Sequence, residues 1–223
     1  MNCPIPSIPL REVLRYALGA NPPDPVPEEL LSRAKQAIQL LEQNCSPRAH
    51  FAVYPTAPLL DDLLTGKDIR RHLDGCARCV LLCATLGPEP DALIRRAQVR
   101  DVAGALWLDA AASAAIEEVC DEVQRQIAES LDCTLTGRFS CGYGDLPLSI
   151  QPRFLQLLDA GRKIGLFATP SGMLTPIKSV TAVIGILPAG ATPPKARAAC
   201  AICPLSKTCP LRRKGVFCGI HSY

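Results

Sequence analysis

Beyond Asp159 the chain has no acidic residue, so residues 160–223 carry nine Lys or Arg and no Asp or Glu. Residues 1–159 hold the other fifteen basic and all twenty-one acidic residues, and the formal total of +3 hides a strongly basic end. Such an end suits an acidic partner, nucleic acid, or the charge of metal-bound thiolates. Aromatics are scarce, at 4%, and the basic end offers only Phe217 and Tyr223 for stacking on bases, which argues against a nucleic-acid platform. No apolar run reaches the ~18 residues of a membrane span, so no membrane partner is expected. The opening MNCPIPSIPLREVLRY lacks a basic segment feeding an apolar core and a small-residue cleavage site, so a cytoplasmic protein is expected. No internal repeat is present.

What remains is 48% apolar and 20% charged, an ordinary globular composition over 223 residues. Twenty-one prolines cluster between periodic segments and imply stiff connectors. Residues 6–18 and 27–44 have helical spacing, Pro27 and two glutamates opening the second. Alternation from His50 to Thr56 and the compact run Val80 to Gly87 read as strands, with a short helix from Asp68 to Leu73 between them. A helix to about Gln98 precedes a long helix ending near Leu131, Ala-rich on one face and suited to close packing. CTLTGRFS reads as a strand and IQPRFLQLLDA as a helix of about three turns. KIGLFAT and KSVTAVIGIL read as strands, divided by PSGMLTP. The expected fold class is α+β, with helices packed on one mainly antiparallel sheet and the later strands all in it. The division is residues 1–187 and a cysteine-rich module at 188–223.

Twelve cysteines without a secretion signal favour a metal site over a disulfide framework. Cys200, Cys203, Cys209 and Cys218 form C-x2-C-x5-C-x8-C, with Pro204 and Pro210 each following a cysteine. Four thiolates so spaced can wrap one centre, an iron–sulfur cluster, most simply [4Fe–4S], or alternatively structural zinc. Lys207, Arg212, Arg213 and Lys214 lie among these cysteines and would raise a cluster's potential. Cys76, Cys79 and Cys83 straddle a helix end and an apolar strand with no fourth ligand in sequence, and read as small buried side chains, as do Cys3, Cys45, Cys120 and Cys133.

The stretch Arg138-Phe-Ser-Cys-Gly-Tyr-Gly-Asp145 combines an arginine fork, suited to a carboxylate or phosphate, with glycines around a tyrosine. On chemistry alone it is either a ligand site or a surface turn. R-F-S-C-G-Y-G-D-L-P, with LLDAGRKIGLFATPSGMLTPIKSVTAVIG after it, resembles the reactivation domain of cobalamin-dependent methionine synthase, and more closely its free-standing relatives. The resemblance covers about residues 10–187, its most specific part being R-x3-G-Y followed by L-x-P-x-K-S-V.

That resemblance implies a twisted, mainly antiparallel sheet, a site for S-adenosylmethionine, and docking on a corrinoid-binding protein whose oxidised cobalamin is reduced and remethylated. It implies that Arg138 holds the methionine carboxylate, Tyr143 lines the site and Ser140 and Cys141 meet the adenine end through the backbone. Glu117, with Glu118 next, supplies an acidic side chain from the preceding helix. Two departures stand out. Gly144-Asp145-Leu146-Pro147 replaces Pro-Ala-Cys-Pro, and a second tyrosine expected near Ile184 is missing. The cysteine module is a third, and it suggests a protein that passes an electron, from a low-potential donor, through its own cluster to cob(II)alamin. No side chain is expected to act as a catalytic residue, because reduced cobalt is the nucleophile. The alternative is a corrinoid-docking module with a structural zinc end and no redox role.

Overall fold

The longest helix begins where Asp101 accepts a hydrogen bond from the Gly104 amide at 3.0 Å and ends where Asp132 turns left-handed. This computed structural model describes residues 3, 7–19, 22–191 and 207–208. Helices α1 (Leu10–Leu18) and α2 (Glu28–Glu42) lead into strand β1 (Arg48–Pro55). Helices α3 (Thr56–Asp62) and α4 (Lys67–His72) precede β2 (Arg78–Thr85), and α5 (Glu89–Arg100) precedes the long α6 (Val102–Leu131). A 3-10 turn (Leu148–Ile150), α7 (Gln151–Leu157) and α8 (Ala160–Ile164) then lead to β3 (Phe167–Ala168), β4 (Leu174–Thr175) and β5 (Ser179–Ile186).

The sheet is antiparallel in the order β1-β2-β5. Central β2 is covered on both faces, which is why its sequence is a continuous apolar run and does not alternate. Val80, Leu82 and Ala84 enter one core with α1, α2 and α6; Cys79, Leu81 and Cys83 enter a second under α7 and α8. Alanines 110, 111, 112, 114 and 115 of α6 are buried, letting its backbone lie close to α1, α2 and α5.

Two sequence expectations change. The helix expected over 150–160 is broken, because Asp159 is left-handed (φ 51°) between α7 and α8. The strand expected in KIGLFAT shrinks to two residues, β3, paired only with β4 outside the main sheet.

The strand expected in CTLTGRFS is irregular for an identifiable reason. Leu135 bridges Ile186 and Phe139 bridges Val183, so this segment carries one residue more than the β5 stretch it follows. That is a β-bulge, and a bulge reverses the side to which later side chains point. Leu135 belongs to the core under α6, whereas Phe139 packs on the second core. Regular alternation would have put both on one face. The Thr136 hydroxyl holds the irregularity by accepting the Gly185 amide at 2.8 Å, while the Thr136 amide donates to the Gly185 carbonyl at 2.9 Å.

Candidate functional site

The bulge sends Arg138 to α6. Its Nη1 donates to Asp121 Oδ1 at 2.6 Å and Gln124 Oε1 at 3.2 Å, and its Nη2 donates to Glu117 Oε2 at 2.9 Å. Glu117, Asp121 and Gln124 stand four and three residues apart and share one helix face. Gln124 is buried, and its Nε2 donates back to the Thr136 carbonyl at 3.0 Å, tying the helix to the bulge. The Arg138 side chain is 13% exposed, against 40% for Glu117 and 21% for Asp121. Burial works against the charged guanidinium, but the Asp121 and Glu117 carboxylates hold its pKa above the ordinary value. The Cys120 thiol beneath it is pushed up to about 12 by burial, so it is neutral.

Helix α1 closes the other side. Glu12, Arg15, Tyr16, Ala114, Glu117, Glu118, Asp121 and Arg138 line one narrow cleft whose cavity volume is about 10 Å³, room for about one water molecule. Arg15 Nε donates to Glu12 at 2.6 Å, and its guanidinium lies 4.3 Å above the Tyr16 ring. With four carboxylates and two guanidinium groups among these residues, the cleft is acidic on balance. A guanidinium has five N–H donors. Three of those on Arg138 are used, which leaves two without a partner among the described residues. A carboxylate could take them without displacing Glu117 or Asp121.

The structure brings together Arg138 and Glu117, with Glu118 on the same cleft. Asp121, Gln124, Glu12, Arg15 and Tyr16 were not foreseen. The repeat Ala114-Glu117-Asp121-Gln124, at helical spacing, was the signal for the α6 members; α1 carried none. Tyr143 stands on a different element, 61% exposed, with its ring edge-on to Phe139 at 6.2 Å, and Phe139 in turn meets His72 at 5.2 Å. Ser140 is half-buried and its carbonyl accepts the Tyr143 amide at 3.1 Å. Cys141 is buried in the second core and its thiol is pushed up to about 11 by burial, so a ligand could meet only its backbone.

The Gly144-Asp145 departure has a physical role. The Asp145 carboxylate accepts the Lys67 amide at 2.6 Å and the Asp68 amide at 3.1 Å, capping α4 from a distant part of the chain. Gly144 has φ 52°, and a Cβ there would sit 2.5 Å from Asp68 Oδ2, so the approach needs glycine. Those two amide bonds hold the Asp145 carboxyl below its ordinary pKa. Asp145→Asn is expected to speed hydrogen exchange at the Lys67 and Asp68 amides while leaving the α6 amides protected. In the native chain this cap should persist at neutral pH and be lost only as pH falls through the depressed carboxyl value.

His72 lies against the same bulge, its Nε2 3.0 Å from Thr136 Oγ1. Burial lowers its pKa, partly offset by backbone contacts at Gly137 and Val183. The unfolded chain therefore binds this proton more readily, so stability should fall as pH drops below ~6.5. His72→Leu should flatten the decline in melting temperature between neutral and mildly acidic pH; an unchanged decline would remove His72 as its source.

Among the described residues no group of three or more His, Cys, Asp or Glu could hold a metal ion. Cys200, Cys203, Cys209 and Cys218 lie outside the described residues. Cys76, Cys79, Cys83 and Cys120 are buried, and Cys3, Cys45 and Cys133 are half-buried. No described helix is long and apolar enough to cross a membrane.

No family model matches the sequence, and no curated protein matches it. Among solved structures it is similar to the crystal structure of the MetH reactivation domain bound to AdoHcy, at 16% identity with a TM-score of 0.64. The match covers 97% of this chain and 85% of that one. The chain has an α+β fold like that of this reactivation domain.

Proposed function

We propose that this protein binds S-adenosylmethionine in the cleft between α1, α6 and Arg138 and serves as reductive activator of a corrinoid-dependent methyltransferase. One observation carries the reading: on a reactivation-domain-like fold, a bulge delivers Arg138 to Glu117 with two guanidinium donors still available. The residues fit the ligand's charges. Arg138 would orient its carboxylate, while Glu117 and Glu118 would face its ammonium and sulfonium groups. Tyr143, Ser140 and Cys141 lie on a neighbouring loop that does not line this cleft.

When bound, adenosylmethionine would supply an activated methyl group and a cluster on Cys200, Cys203, Cys209 and Cys218 a single low-potential electron, both destined for cobalamin carried by a partner protein. The sequence spacing of those cysteines supports the cluster, with zinc as the rival occupant. The residues of this chain need only bind, orient and exclude water.

The test combines composition with activity. The whole chain is purified without oxygen and assayed for iron, sulfide and zinc, then added to a cob(II)alamin-bearing methyltransferase with adenosylmethionine and dithionite. About four iron and four sulfide per chain, with methylcobalamin formed only when this chain and adenosylmethionine are both present, is the expected result. One zinc and no visible chromophore would remove electron delivery. Methylcobalamin formation indifferent to the chain would remove the activator role.

A further inference from the structure

We infer that the face of β1 turned toward α8 is a phosphate-type anion site built by Arg48, Lys163 and His50. Arg48 and His50 are two residues apart on the edge strand, so both side chains point the same way. That face meets α8, where the Arg48 guanidinium lies over Gly165: a Cβ built there would sit 3.6 Å from Nη2 and 3.7 Å from Nη1. Gly165 has φ 70°, so its missing side chain is required by the turn, and the guanidinium sits at ordinary contact distance from it.

What marks the place as a site is uncompensated positive charge. Arg48 makes no hydrogen bond or ion pair with any described residue, and its Nε is enclosed without an acceptor. A buried donor without a partner is uncommon in a folded chain and asks for a ligand or water. Lys163 has no ion pair to a described carboxylate either. Its Nζ lies 2.8 Å from His50 Nε2, so an ammonium donates to a neutral ring and the His50 proton sits on Nδ1. Burial first, and then the Lys163 charge, holds His50 below its ordinary pKa, with Asp159 opposing.

The other charges on α8 cancel, since Asp159 is bonded to Arg162. Two cations therefore remain beside a neutral imidazole that can take up a proton. An Arg fork, a Lys and a His offer donors to several oxygens of one dianion, which suits a phosphate or phosphomonoester better than a monovalent carboxylate. The site lies on α8 and β1, away from the α1–α6 cleft, and does not rest on the adenosylmethionine reading.

The test is a ring-proton NMR titration of His50 in the whole chain with inorganic phosphate, at neutral pH and constant ionic strength kept with chloride. The expected result is a saturable His50 shift and a His50 pKa that rises with phosphate, because the anion offsets Lys163 and Arg48. Arg48→Gln and Lys163→Gln should each weaken binding about tenfold. Lys163 is exposed, so its variant keeps the fold even if Arg48→Gln does not. A nucleoside monophosphate binding as tightly as phosphate supports a free-anion site, and tighter binding supports a ligand with a larger body. A linear shift, or a dissociation constant unmoved by Lys163→Gln, overturns the proposal.

Discussion

Arg138→Met is expected to lower stability by about 2–3 kcal/mol and to abolish adenosylmethionine binding. The stability loss comes from groups left behind. Asp121 and Glu117 would face each other without the cation that separates them, and the buried Gln124 Oε1 would lose its donor. Breaking a buried pair by removing one partner costs about 3–5 kcal/mol. The expectation is lower here because Glu117 is already 40% exposed and can rehydrate. Chemical denaturation measures this directly. Two further variants separate folding from binding. Arg138→Lys keeps the charge but loses the fork, so it should fold within about 1 kcal/mol of the parent and bind adenosylmethionine at least about tenfold more weakly. Glu117→Gln keeps an acceptor for Nη2, so it should fold normally and lose affinity only through the missing negative charge.

The second large effect is remote from the cleft. Gly185→Ala should destabilise the chain by about 1–3 kcal/mol and weaken ligand binding as well. A Cβ on Gly185 would lie 2.7 Å from Cys76 Sγ and 3.1 Å from Thr136 Cγ2, both buried, with Leu73 Cδ2 at 3.3 Å. Neither atom can retreat without moving α4 or the bulge. Moving Thr136 breaks its hydroxyl's bond to the Gly185 amide and releases the carbonyl that anchors Gln124, and so disturbs Arg138. Adding Cys76→Ala removes the nearer obstacle and should restore part of the loss, a coupling above about 0.5 kcal/mol in a double-mutant cycle. Additive losses would mean that the bulge does not depend on the space at Gly185.

How much of this was legible in the sequence depends on which forces decide each element. β2 was readable because it is buried on both faces and its run is apolar throughout. Helix α6 was readable from its alanines and its sharp ends. The segment around Gly137 was not, because its course is set by the Thr136 side chain taking over a ladder bond, a tertiary choice with no periodic trace. Phe167 and Ala168 have strand composition but lack a neighbour in the main sheet, so pairing, and not propensity, fixed their length. Arg138 and Glu117 were singled out from the sequence, yet their meeting depends on one extra residue in the bulge. Asp121, between them in the site, gave no signal except its helical spacing from Glu117. The role of α1 could not be read at all, since Arg15 and Glu12 look like an ordinary i,i+3 pair on a surface helix.

The most direct test of the central claim is a calorimetric titration of the whole chain, at low salt, with S-adenosylmethionine and separately with S-adenosylhomocysteine. The cleft is acidic on balance, and the sulfonium compound carries one more positive charge than the thioether. It should therefore bind at one site per chain, about tenfold more tightly, an advantage that shrinks as salt is added. Arg138→Lys should weaken both ligands alike. No binding of either, or an affinity for adenosylmethionine that Arg138→Lys leaves unchanged, would contradict the account.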